Sequence, residues 1–153
     1  MVINEKTLEI RMARTFAAPR ELVFRIYTDA ALLPQWWGPR RLTTTVEKHE
    51  LRLGGQWRYI QHDAQGNQYT FHGIFQEFTP PSRLVYTFEF EGVPPGHGLT
   101  ETVLFEELDG QTTITAIDHF QSTEDMHGML NSGMEEGANE SFDRLQELLK
   151  SLP

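Results

Sequence analysis

Cysteine is absent from this chain of 153 residues. That absence excludes disulfide bridges, thiolate metal sites and a cysteine nucleophile, and it suits a reducing cytoplasm, the compartment expected for the protein. Basic residues are few, with 13 Lys and Arg against 22 Asp and Glu, which leaves a formal net charge of -9. A nucleic-acid groove or an anionic membrane surface would be repelled on average, so neither is an expected partner. Met1 to Arg14 contains no apolar stretch of signal-peptide type, and nowhere do ~18 apolar residues follow one another. The chain also lacks a Gly-x-Ser-x-Gly elbow, a phosphate loop and a dinucleotide fingerprint, and no cofactor is expected. The glycines of the Gly92 to Gly98 loop sit between strands, the wrong context for phosphate binding. His49, His62, His72, His97, His119 and His127 fall into no His-Glu-x-x-His or related spacing, so no metal site is expected either.

What remains is an ordinary globular composition, 39% hydrophobic with 12 glycines, and enough apolar residues to build a core. Apolar and polar residues alternate from Leu8 to Phe16, the period of a half-buried strand. Pro19 suits a first helical turn, and Leu22, Val23, Ile26 and Tyr27 then recur at three- and four-residue spacing. A second helical piece, Ala30 to Trp37, closes at Gly38-Pro39. Six further runs rich in Thr, Val, Ile and aromatics read as strands: Thr43 to Glu50, Gln56 to His62, Gln68 to Phe78, Arg83 to Phe90, Glu101 to Leu108 and Gln111 to Phe120. Short turn segments separate them, as antiparallel neighbours require. Ser122 or Thr123 caps one long final helix, with Glu124 and Asp125 at its positive end and Lys150 near its negative end. The order β, α, α, six β, α specifies a single α+β domain over residues 1–153, with seven strands.

Hairpin registers then select a face. Asp109-Gly110 is a strong two-residue turn signal, and closing it sets Phe105 opposite Ile114, Val103 opposite Ala116 and Glu101 opposite Asp118. Pairing Phe78 with Arg83 sets Phe75 against Tyr86, Gly73 against Phe88 and Phe71 against Phe90, with His72 and Glu89 opposed on the other side. Pairing His62 with Gln68 adds Trp57 opposite Gly73 and Tyr59 opposite Phe71. Gly73 would then leave room between Trp57 and Phe88. On the final helix Met126, Leu130, Met134, Gly137, Ser141, Leu145 and Leu148 form one stripe whose middle, around Gly133, Gly137, Ala138 and Ser141, is small. Two readings stay open: a cavity of at least ~300 Å³ between the aromatic sheet face and the notched helix, or aromatic rings filling the notch as dense core.

Glu101 and Asp118 are the candidate catalytic residues. Two opposed carboxyls on an inner face repel, so one of them keeps its proton and the pair supplies an acid and a base for proton transfer. At frayed, solvated strand ends the same pair would be ionised and inert. Trp36 and Trp37 offer a similar choice between a hydrophobic plug at the sheet rim and a gate over a ligand. The acidic residues Glu135, Glu136, Glu140, Asp143 and Glu147 read as a solvated helix face.

The element order and several short motifs together resemble a known family. They are Pro19-Arg20-Glu21-Leu22-Val23-Phe24, Trp36-Trp37-Gly38-Pro39, Gly54-Gly55-Gln56-Trp57, Gly73, Pro80-Pro81-Ser82-Arg83-Leu84-Val85-Tyr86, Gly133-Met134-Glu135-Glu136-Gly137-Ala138 and Ser141-Phe142-Asp143-Arg144-Leu145. This set resembles the bacterial homologues of the C-terminal domain of the activator of heat-shock protein 90 ATPase, within the START-like (SRPBCC) superfamily. The resemblance implies a helix-grip fold, a curved antiparallel sheet around the C-terminal helix that often encloses a ligand cavity. Joined to the residues that the registers select, it gives three functional options. The first is binding of an apolar or aromatic small molecule by Trp57, Tyr59, Phe71, Gly73, Phe75, Tyr86, Phe88, Val103, Phe105, Ala116, Gly133, Met134, Gly137 and Ser141. The second is a cofactor-free cyclase or hydratase type reaction at Glu101 and Asp118, and the third is a co-chaperone-like interaction with a chaperone partner.

Overall fold

The structure, a computed structural model, describes residues 1–152. Eight strands, one more than expected, form a continuous antiparallel sheet in the order β1-β2-β8-β7-β6-β5-β4-β3. In chain order these are β1 (Val2–Asn4), β2 (Glu9–Phe16), β3 (Thr43–His49), β4 (Gln56–His62), β5 (Gln68–Thr79), β6 (Arg83–Phe90), β7 (Leu99–Leu108) and β8 (Gln111–His119). Helices α1 (Arg20–Thr28) and α2 (Leu33–Trp36) follow β2, and α3 (Thr123–Leu130) and α4 (Met134–Ser151) follow β8. The additional strand β1 is three exposed residues paired with the edge of β2, too short and too solvated to show alternation.

The final helical stretch is two helices and not one. Ser122 caps α3 as expected, its hydroxyl accepting from the Asp125 amide at 3.0 Å. The chain then leaves helical geometry, and Gly133 at φ 84° opens α4. That left-handed conformation costs glycine little and would strain other residues. The break separates two packing tasks. Met126 of α3 seals a small cluster with Ile10, Leu99 and Phe120, whereas Phe142, Leu145 and Leu148 of α4 join the main core with Phe16, Val103, Phe105 and Ile114. Phe88 and Met134 touch both clusters.

The β7–β8 register is as the Asp109-Gly110 turn dictates, with Phe105 opposite Ile114, Val103 opposite Ala116 and Glu101 opposite Asp118. The β4–β5 register also matches, Trp57 facing Gly73 and Tyr59 facing Phe71. The β5–β6 hairpin differs at its closed end, where Thr79 rather than Phe78 pairs with Arg83. A bulge between Phe75 and Glu77 absorbs the slip, restoring Phe75 opposite Tyr86, His72 opposite Glu89 and Phe71 opposite Phe90. At Gly73 and Ile74 side chains replace the usual ladder. The Ile74 amide donates to Thr87 Oγ1 at 2.8 Å, and the Trp57 indole N–H donates to the Thr87 carbonyl at 3.2 Å. The space expected beside Gly73 is therefore taken, since a Cβ there would overlap the Thr87 carbonyl oxygen. No helix among the described residues is long and apolar enough to cross a membrane.

Candidate functional site

The inner face of β4, β5 and β6 carries the expected aromatic row, and α2 lays a further side chain into it. Trp36 and Trp37 diverge. Trp36 is buried in the core, its ring 4.7 Å from that of Tyr27, and its indole nitrogen has no hydrogen-bond partner. Trp37 is half-buried and meets four aromatic side chains: Tyr59 at 5.1 Å, Phe71 at 5.6 Å, and Trp57 and Phe88 at 6.5 Å between ring centroids. Edge-on contacts at these distances are favourable. Trp37 thus plugs the space between α2 and the sheet.

The plug backbone is held by α4. The Gly38 amide donates to Ser141 Oγ at 2.9 Å, and Arg144 donates to the carbonyl oxygens of Gly38 at 2.8 Å and Pro34 at 3.3 Å. Two residues further on, the Arg40 amide donates to Glu140 at 3.0 Å, and its guanidinium pairs with Glu147. From the sheet side, Thr44 Oγ1 donates to the Trp37 carbonyl at 3.0 Å. The small residue at 141 consequently serves α2 docking. Beyond its own helix backbone, Gly137 has no atom within 4 Å of where a Cβ would lie, and Gly133 is an exposed helix-opening residue rather than part of a wall. Glu140 and Glu147, expected to be merely solvated, act in this docking.

A cavity of about 30 Å³ remains behind the plug, lined by Tyr27, Leu33, Trp36, Trp37, Trp57, Tyr59, Phe75, Leu84 and Tyr86. That is room for about one water, a tenth of the ligand-sized space expected. Trp57, Tyr59, Phe75 and Tyr86 line this cavity, while Phe71 and Phe88 meet the plug ring itself. Val103 and Phe105 are fully buried, Phe105 in edge contact with Phe24 and Tyr27 of α1. Ala116 and Met134 are half-buried. Tyr27, Leu33 and Leu84 are lining residues that sequence reasoning missed; only the stripe of α1 hinted at the first.

The polar end of the site begins at two of the lining tyrosines. Tyr27 and Tyr86 line the cavity together, and the Tyr86 hydroxyl donates to Glu101. Burial, reinforced by the Glu101 charge, pushes both phenols above their ordinary pKa. Asp118 lies opposite Glu101 and is only 9% exposed, which removes the frayed, solvated reading for this residue. Its pKa is raised well above the ordinary carboxyl value, first by burial, then by the Glu101 charge, then by a hydrogen bond with Glu101. A protonated Asp118 donating to Glu101 satisfies all three causes, yet Asp118 Oδ1 is left buried without a partner. On the other side of the cavity His49 bridges the Tyr59 hydroxyl at 2.7 Å and the Thr28 carbonyl at 2.8 Å. Burial holds its pKa below the usual value, so the neutral ring donates to Thr28 and accepts from Tyr59.

The outer face is a different matter. His72 sits between Glu89 at 3.1 Å and Glu91 at 2.8 Å, and Arg58 joins Glu91 to Glu47. These exposed pairs contribute little to stability.

Residues 17–150 match the family described as Activator of Hsp90 ATPase homolog 1-like protein. The chain belongs to that family. The solved structure of protein Ms6760 from Mycobacterium smegmatis is 28% identical, with a TM-score of 0.87 over 98% of this chain and 95% of that one. A protein from Arthrobacter aurescens, solved by NMR, is also 28% identical, with a TM-score of 0.90 over 97% and 90% of the two chains. A protein from Silicibacter pomeroyi at 24% identity, covering 93% and 97%, shares the fold at a TM-score of 0.76. No match is found among the curated proteins. The Activator of Hsp90 ATPase homolog 1-like family thus accounts for the START-like helix-grip architecture, its sheet curved around the C-terminal helix.

Proposed function

We propose that this member of the family binds a small aromatic or apolar molecule between the sheet and α2, and that Trp37 is the ring that gives way to it. The carrying observation is the setting of Trp37, a half-buried ring against four aromatic side chains on a backbone anchored by Ser141, Arg144 and Thr44. A ligand ring entering there meets the same faces that Trp37 now covers. The small cavity behind it joins the vacated space, and Tyr27 and Tyr86 supply the few polar groups that fix orientation in such pockets. With 5-fluorotryptophan incorporated, 19F NMR separates the three tryptophans while small aromatic compounds are added. Binding should move the Trp37 resonance toward its solvent-exposed position. Binders that leave that resonance unmoved, or a broad set containing no binder, would defeat the reading.

A second reading has its own support in the buried acid pair. Glu101 as base and protonated Asp118 as acid can remove one proton from a carbonyl compound and deliver another, with no net change in protons. Exchange of solvent deuterium into a bound ketone, abolished by Glu101→Gln, tests for it; unchanged exchange in the variant would exclude the pair.

A further inference from the structure

Glu101 and Asp118 form an acid pair without a counter-charge. They oppose one another on the inner sheet face, Asp118 is nine-tenths buried, and its Oδ1 has no hydrogen-bond partner. Neither carboxyl belongs to any ion pair among the described residues. Unpaired carboxylates elsewhere, such as Glu106, Glu135 and Glu136, are exposed to water, whereas Asp118 is not. A charge taken out of water without a partner is costly, and the Tyr86 hydroxyl that Glu101 does receive carries no charge.

Aromatic faces surround the same region. Tyr86 packs edge-on to Trp57 at 5.8 Å, and Phe88 lies 5.6 Å from Trp57 and 5.2 Å from Phe71. Ring faces attract cations and repel anions, and an ammonium N–H is the donor that both an unpartnered carboxyl oxygen and a carboxylate accept most strongly. On this face Tyr86, Phe88, Glu101 and Ala116 are half-buried, not sealed as Val103 and Phe105 are.

We infer that the occupant of this site is an organic cation, an ammonium compound with an aromatic or apolar body. Its body lies among Trp57, Phe88 and the rings that Trp37 covers, and its charged head is turned to Glu101 and Asp118. This rests on the binding reading above and adds the charge of the ligand to it. A carboxylate or phosphate ligand is disfavoured by the same residues.

Two probes of matched shape test the charge. Calorimetric titration of the full chain with 2-phenylethylammonium and with neutral 2-phenylethanol, at one pH and salt concentration, should give an affinity at least about ten-fold higher for the ammonium. Glu101→Gln should reduce the ammonium affinity by about ten-fold and leave that of the alcohol within about two-fold. The alcohol titration also reports whether the variant still folds around an intact pocket. Equal affinities in the wild type, preference for the alcohol, or an unchanged ammonium affinity in Glu101→Gln would overturn the cationic ligand while leaving aromatic binding in place. Failure of both probes to bind overturns the inference, and the Trp37 resonance experiment then decides separately whether the site accepts any aromatic compound.

Discussion

If Trp37 stands where a ligand goes, removing its ring should create a site that free indole repairs. Full truncation of a buried Trp costs about 3–5 kcal/mol. Trp37 is half-buried, so Trp37→Ala should cost about 2 kcal/mol. The vacated space retains the faces of Trp57, Tyr59, Phe71 and Phe88. Burying ~200 Å² of apolar surface at ~25 cal/mol/Å² amounts to ~5 kcal/mol, which corresponds to a dissociation constant near ~0.2 mM. Indole at ~2 mM, about ten times that constant, should therefore return ~1.4 kcal/mol of the lost stability. Urea unfolding with and without indole measures this directly, the wild type serving as control because its own ring occupies the site. An indole effect equal in wild type and variant, or absent from both, would refute the assignment of Trp37 as a displaceable occupant.

Three other perturbations follow from the same geometry. Gly73→Ala forces a methyl group onto the Thr87 carbonyl and breaks the Trp57 hydrogen bond, so it should cost about 3 kcal/mol; a loss under ~0.5 kcal/mol in urea unfolding would mean that the strands yield freely. Gly137→Leu enters open space and gains up to ~1 kcal/mol of helix propensity, so stability should hold or rise; a clear loss would show that the helix packs there in solution. The raised Asp118 pKa means that the folded state binds a proton the unfolded chain releases near pH ~4. Its stabilising contribution is thus full below that pH and is lost as pH rises toward the folded value. Asp118→Asn should flatten this decline, and parallel stability-pH curves for wild type and variant would count against it.

Local turn chemistry made the sheet legible. Asp109-Gly110 leaves one sensible closure, and period-two alternation then carries the register to Glu101 and Asp118 at the far end. The closed end of the β5–β6 hairpin was less readable because Pro80-Pro81-Ser82 fits more than one loop length, and only the bulge beyond Phe75 reconciles the turn with the aromatic pairs. The interruption before α4 was hidden for another reason. The apolar stripe from Met126 to Leu148 keeps helical spacing across Gly133, although the two halves pack on different clusters. Both tryptophans were visible as a choice between plug and gate, but the rings that Trp37 meets come from three strands. Tyr27 of α1 and Tyr86 of β6 line one cavity and Tyr86 reaches Glu101 of β7, a tertiary arrangement that no single segment announces.

The anchoring of α2 on α4 has a consequence for rates. Residues on either side of the Trp37 side chain are fixed by the Ser141, Arg144 and Glu140 contacts, so clearing the path requires rotation about side-chain bonds and no hinge in the backbone. Collective backbone motions take microseconds to milliseconds, and rotation of one side chain avoids that step. Association should accordingly rise in proportion to ligand concentration without the plateau that a slow opening step imposes, and selectivity should express itself in how long a ligand stays.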